Sequence, residues 1–319
     1  MNESTSLGFR VINPGMLTLI QDLGRFGCHS IGLTIGGPLD SSAFKWANKL
    51  CANADNTSCL EITFGGLELE VQLDTTFCVT GAKLPLTING QTKPQWQSLS
   101  VYKGDIVKLG FVSEGMHAYL AVAGGFNIKP TFNSVSTVVR EGVGGFDGGK
   151  ILQGQVLPYT TSNTAHHNKL NKPPTYDTAV SLRVILGYQH EAFSQVQKGI
   201  FFSGKYSVSQ SCDRMGYRLN GPKTKPSIDG ILSEGICLGA IQVPADGQPI
   251  VLMNDRQTIG GYPKIGSVLS IDLAKLAQCG PGATVTFEEI SIEQAHNILH
   301  IEMALIELNP VEPIELLLN

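Results

Sequence analysis

Glycine interrupts this chain from end to end: 36 of its 319 residues are glycine and another 16 are proline. Glycine supplies the left-handed backbone of tight turns, and proline removes a hydrogen-bond donor, so long helices are broken and short strands joined by turns are favoured. Between these breaks lie brief apolar and β-branched runs. Phe9–Ile12, Leu67–Val71, Phe77–Thr80, Ile106–Leu109 and Tyr119–Val122 are predicted strands, and Leu67-Glu68-Leu69-Glu70-Val71 alternates as a half-buried strand should. The pattern resumes at Leu182–Leu186, Gly239–Val243, Ile250–Met253 and Val268–Leu273. Two segments carry helical spacing instead. Asp40 can cap a helix that buries Phe44, Ala47, Leu50 and Cys51 on one face. Ser291 and Gln294 form a capping box ahead of Ile292, Ala295, Ile298, Leu299 and Ile306. A mainly β protein with a few short helices and a C-terminal helix is predicted.

A chain of 319 residues exceeds what one core usually holds, so two domains are expected. The polar run Thr160–Thr178 (TTSNTAHHNKLNKPPTYDT) lacks periodicity and divides them. The predicted plan is an N-terminal β domain over 1–160, a linker or surface excursion over 161–178, a second β domain over 179–290, and a C-terminal helix and tail over 291–319. Gly-Gly-aromatic follows a strand in both AYLAVAGGF and IVLMNDRQTIGGY, and Arg stands two residues before Gly in both GRFG and DRMGYR, which makes a duplication a candidate.

Charge and cysteine usage exclude several classes. A formal net charge of -4 without a Lys/Arg block argues against nucleic acid. The N-terminus is no signal peptide, and no apolar run reaches the length of a membrane span. The 7 cysteines include no CxxC pair, as expected in a reducing cytoplasm. His296 and His300 share a helical face and His166-His167 are adjacent, yet neither pair has a metal-binding context, and no metal is expected.

Four clusters can carry chemistry. In the first, Gln21, Asp22 and Arg25 precede GGPLD with Asp40; Arg25 can grip a carboxylate or simply bridge Asp22 or Asp40. The second is Val135-Ser136-Thr137 with Arg140, then the glycine loop Gly144–Lys150, whose spacing does not match a Walker ATP site. The third places Arg214, Tyr217 and Arg218 in an anion-recognition strip or, equally, a charged turn. The fourth joins Gln242 with Asp255, Gln257, Thr258, Tyr262 and Lys264. Asp255, Gln257 and Lys264 are the predicted catalytic set: a carboxylate and an ammonium move protons, and an amide binds an amide or an oxyanion. Gln21, Asp22, Arg25, Asp40, Arg214, Tyr217, Arg218, Gln242, Thr258 and Tyr262 are the predicted substrate contacts.

These clusters, taken in order, resemble a known family. GMLTLIQDLGRFG, GGPLD, LEITFGG, AYLAVAGGF, SCDRMGYRLNGP, GAIQVPADGQPI and DRQTIGGYPKIG, between Gly8 and Phe287, are similar to the allophanate hydrolase subunit 2 family. That family includes the C subunit of 5-oxoprolinase and the second half of the carboxyltransferase region of urea carboxylase. The resemblance implies two cyclophilin-like β-barrel domains and a partner, the B subunit of 5-oxoprolinase, which is of the allophanate hydrolase subunit 1 family. With the A subunit of the same enzyme it implies ATP-dependent hydrolysis of 5-oxo-L-proline to L-glutamate, ATP acting with Mg2+ in the assembled complex. The alternatives are a biotin-dependent carboxyltransferase chain that acts on a urea-like amide, and a regulatory partner that binds a kinase-inhibitor protein. A chain of this length without a Met-Lys-Met biotin-attachment sequence points to the oxoprolinase member.

Overall fold

The computed structural model describes residues 7–161, 168–228, 230–308 and 312–313. His166 and His167 lie outside them. The chain forms two units: one from the residues up to Arg25 with Gly36–Thr175 and the C-terminal end, the other from Phe26–Ile35 with Tyr176–Asn309.

In the first unit, alternation builds two sheets. The six-stranded sheet runs Val156–Pro158, Gly8–Pro14, Leu67–Val71, Ile106–Leu109, Leu86–Ile88, Gln91–Lys93. The five-stranded sheet runs Leu17–Gln21, Cys59–Thr63, Glu114–Val122, Thr75–Lys83, Ser98–Val101. Leu67, Leu69 and Val71 point into the core shared by both sheets, while Glu68 and Glu70 face outward to Lys108 (3.7 Å) and Arg10 (2.5 Å). Helix α1 (Ser41–Leu50) covers the far face of the five-stranded sheet. Asp40 caps it by accepting from Ala43 N at 2.9 Å, and Phe44, Ala47 and Leu50 pack on Cys59, Cys78 and Tyr119. Strands covered on both faces lose their alternation, and Cys59–Thr63 is buried throughout.

The second unit closes into a seven-stranded barrel in the order Ala179–Leu186, Lys264–Val268, Ala240–Gln242, Ile250–Leu252, Gly216–Asn220, Tyr206–Cys212, Thr284–Glu289. Closure comes from a parallel pairing of Ala179–Val184 with Thr284–Glu289. Helices α2 (Gln195–Ser203) and α3 (Ser270–Ala277) contribute to its core, where Phe201 stacks on Phe287 with centroids 4.4 Å apart. Inside the seam between α3 and the barrel, Asp272, fully buried, receives a two-pronged ion pair from Arg183 at 2.7 and 2.6 Å. Helix α4 (Ile292–Leu308) begins with the anticipated capping box: Ser291 N donates to Gln294 Oε1 at 2.8 Å, and Gln294 N donates to Ser291 Oγ at 3.2 Å.

The mainly β expectation holds, with four α-helices among the described residues. Two local expectations change. Val268–Leu273 is not a strand: the strand ends at Val268 and α3 follows, because Leu273, Leu276 and Ala277 recur at helical spacing and are buried. Ile292 is exposed, and α4 seats Ala295, Ile298 and Leu299 against Leu269 and Ile290. The two Gly-Gly turns also differ. Gly124 and Gly125 take positive φ (81° and 76°), whereas Gly260 and Gly261 are outside the positive-φ set, so the repeated motif is not a repeated turn.

Candidate functional site

Strand register brings together residues that the sequence keeps far apart. Arg218 lies opposite Ile250, Ile250 opposite Gln242, and Gln242 opposite Lys264 across four neighbouring barrel strands. Tyr217, Leu219, Ile241 and Val251 fill the interior, each 2% exposed or less, so Arg218 and Ile250 face outward by alternation. Gln242 follows the inward-facing Ile241 and so shares this outer face by alternation, while an extra residue, Ile265, on the neighbouring strand sets Lys264 opposite it. Over this row lies a cleft of about 400 Å3. Arg218, Gln242, Ile250 and Leu252 line its floor; Ser211, Asp213 and Met215 come from one turn, and Gln257 and Tyr262 from the loop that follows Ile250–Leu252.

Both loops are fixed by hydrogen bonds. Asp213 Oδ1 accepts from Met215 N (2.8 Å) and Gly216 N (3.2 Å), an Asx turn. Arg214 Nε and Nη2 each donate to Asp255 at 2.8 Å, and Asp255 N donates to Arg214 O at 2.7 Å. This buried, two-pronged pair clamps the two cleft loops together. Asp255, predicted to move protons, therefore sits as the partner of an arginine, and a carboxylate so bound is a poor base. Arg256 is buried as well; its Nε donates to Ile236 O at 3.1 Å, and Nη2 lies 3.4 Å from His29 Nε2. Burial lowers the Arg256 pKa from its ordinary value.

Beside the cleft stands a second polar network. Lys264 Nζ is ion-paired with Glu234, and Gln189 joins them by donating Nε2 to Glu234 (2.8 Å) and accepting Lys264 N (2.9 Å). Hydrogen bonds from Lys264 and then Tyr188 hold the Glu234 carboxyl below the usual carboxylate range. Glu234 pairs across strands with Gly260, and a Cβ at Gly260 would fall 2.8 Å from Gln242 Nε2 and 3.1 Å from Gln257 Nε2. The missing side chain leaves room for both amides. Gln242 Nε2 is buried and has no hydrogen-bond partner among the described residues.

The structure gathers Arg218, Gln242, Gln257 and Tyr262 at one cleft, with Lys264 next in the row. Arg214 and Asp255 brace it. Tyr217 points inward and donates to Ala277 O at 3.1 Å, and Thr258 O accepts from Ile236 N at 3.0 Å. Gln21, Asp22, Arg25 and Asp40 belong to the first unit. There Asp22 accepts from Ser134 Oγ (2.6 Å) and Val135 N (2.8 Å), and Gln21 Nε2 donates to Thr137 O (3.0 Å). Arg25 donates to Thr131 O (3.1 Å) and Ser136 O (2.9 Å). Those contacts pin the 131–137 segment to the strand Leu17–Gln21. Glu234 and Gln189 went unrecognised from the sequence because no motif surrounds them; the 234–260 pairing places Glu234, and hydrogen bonds to Glu234 and Lys264 place Gln189.

The resemblance implies ATP with Mg2+. The glycine loop donates its own amides inward: Gly145 N to Val135 O and Gly148 N to Gly144 O at 2.8 Å, Gly149 N to Phe146 O at 3.1 Å. Those three amides are not available to a phosphate. Around the cleft, Arg214 and Lys264 each hold a carboxylate, of Asp255 and Glu234, and Arg218 spends one nitrogen on Asp246. This surrounding does not fit the polyphosphate of ATP. Among the described residues no group of three or more His, Cys, Asp or Glu is placed to hold a metal ion, and no helix is long and apolar enough to cross a membrane.

Comparison with known proteins follows the same lines. The C subunit of 5-oxoprolinase from Haemophilus influenzae is 36% identical over 278 residues, 86% of this chain and 89% of that protein. The Escherichia coli protein of the same name is 35% identical over 288 residues, 90% and 92% of the two chains. Among solved structures, the K. lactis urea amidolyase superposes with a TM-score of 0.89 at 27% identity, covering 99% of this chain but only 21% of that one. The family model described as carboxyltransferase domain, subdomain A and B, matches residues 31–289. With most of its length inside that match, this chain belongs to the carboxyltransferase domain A and B family.

Proposed function

We propose that this chain is the C subunit of a multi-subunit 5-oxoprolinase, an assembly that couples ATP hydrolysis to the opening of 5-oxo-L-proline into L-glutamate. The observation that carries this reading is the degree of similarity. The two proteins named as 5-oxoprolinase C subunits are 36% and 35% identical to this chain over 86% and 90% of it, whereas a putative urea carboxylase and two urea amidolyases are 31%, 29% and 28% identical. Site chemistry supports the same reading. A lactam is a neutral, resonance-stabilised amide, and its recognition calls for amide donors, such as Gln242 and Gln257, beside an apolar floor such as Ile250 and Leu252. Lys264, kept beside Glu234, is suited to protonate a departing nitrogen rather than to attack. On this reading ATP and Mg2+ act in the complex assembled with the B and A subunits, in the cytoplasm.

The family name itself favours a second reading, transfer of a carboxyl group from biotin to a urea-like amide. Co-expression separates the two. Glutamate released from 5-oxoproline only when ATP and all three chains are present supports the first reading. Absence of glutamate from a well-formed complex refutes it.

A further inference from the structure

We infer that the outer-face cleft of the barrel is a subsite for a small cyclic amide carrying a carboxylate, with Gln242 as the donor to the ring carbonyl and Arg218 as the anchor for the carboxylate. The first support is Gln242. Gln242 lines the cleft, and its Nε2 is buried and has no partner among the described residues. A buried donor without an acceptor is costly, and a ligand carbonyl would satisfy it. Gly260 contributes a second observation, since any side chain there would crowd Gln242 and Gln257 at the point where their amides converge.

Charge then limits what can bind. Arg214 is committed to Asp255 through two nitrogens and Lys264 to Glu234, so the cleft lacks the cationic excess that a polyphosphate needs. Arg218 differs. It reaches Asp246 through Nη2 alone, which leaves the rest of its fork for one carboxylate. Arg218 and Gln242 flank Ile250 in one cross-strand row, a backbone separation of roughly 10 Å given ordinary strand spacing. Two long side chains converging from that distance leave room for a five-membered ring over an apolar floor. The choice of a lactam among cyclic amides rests on the 5-oxoprolinase reading; the amide chemistry does not.

Ligand-observed NMR and calorimetry on the full chain test this with 5-oxoproline, 2-pyrrolidinone, 2-imidazolidinone and tripolyphosphate. 5-Oxoproline is expected to bind best and 2-pyrrolidinone next. Gln242→Leu and the near-isosteric Gln242→Glu should each weaken both by roughly tenfold, the cost of an unmet carbonyl. Arg218→Met should erase the advantage of 5-oxoproline over 2-pyrrolidinone. Thermal melts matched to wild type confirm that the variants fold; if Gln242→Leu does not, the Glu variant carries the test. The inference is overturned if no lactam binds, if affinity ignores both Gln242 variants, if 2-imidazolidinone is preferred, or if tripolyphosphate displaces 5-oxoproline. Lactam binding that depends on Gln242, in a complex that releases no glutamate, would keep this subsite and reject the assigned reaction instead.

Discussion

At the scale of single residues, polar side chains in and around the cleft divide into those that brace its loops and those that line it, and sequence could not separate them. Asp255 and Gln257 are two positions apart in one motif, yet one closes a buried ion pair and the other lines the cleft. Only the position of Arg214, 41 residues away, decides this. We therefore expect Asp255→Ala to act mainly on folding. Removing one partner of a buried pair costs about 3–5 kcal/mol, whereas replacing both with apolar residues of similar size is far milder. Urea unfolding of Asp255→Ala and of the double variant Arg214→Met/Asp255→Leu checks this; equal stability of wild type and Asp255→Ala would contradict it. Thiols provide a second residue-scale test. Burial pushes Cys51, Cys59 and Cys78 well up from their ordinary value and Cys279 to about 12. Cys237 is exposed, and Cys28 and Cys212 are partly so. A thiol reagent should modify Cys237 first in the native protein and leave those four untouched until denaturant is added.

Among the elements, those specified by local pattern were legible in the sequence. Leu67–Val71 and Ile106–Leu109 have the predicted bounds, and both caps, Asp40 and Ser291, form as expected. Such elements need only their own alternation or capping chemistry. Helix α2 and helix α3 were missed, the latter because a short apolar run suits either a strand or a buried helix until its packing is known. Register is a further step removed. The row Arg218–Ile250–Gln242–Lys264 needs three strand pairings and a bulge, none of which is written in any one segment. Ser291→Ala should lower stability by about 0.5–2 kcal/mol through loss of the α4 cap, and Ser291→Asp should restore most of it. Calorimetric melts of the two variants decide the point, and an unchanged Ser291→Ala would count against the capping box.

For the whole molecule, the two units show where sequence stops informing. Motif order along the chain indicated the family and a β-rich fold, but barrel closure depends on a parallel pairing between strands about 100 residues apart. Acid stability of the second unit should follow Asp272. Burial alone would raise its pKa, but hydrogen bonds from Arg183 and Lys275 outweigh that and leave it lowered. A carboxyl with a depressed folded pKa contributes stability above its unfolded value, about 3.9, and loses it as pH falls through the folded pKa. Asp272→Asn should therefore destabilise the protein at neutral pH and flatten the fall in stability below about pH 4. Melts across the acid range would contradict this if both proteins fell in parallel.

The central claim, that the outer-face cleft receives the lactam and not ATP, is most directly tested by steady-state kinetics. The assay follows glutamate release by the assembled complex carrying Gln242→Glu. The expected result is a KM for 5-oxoproline raised roughly tenfold with the KM for ATP unchanged. A KM for ATP that rises instead, or a KM for 5-oxoproline that does not move, would contradict it.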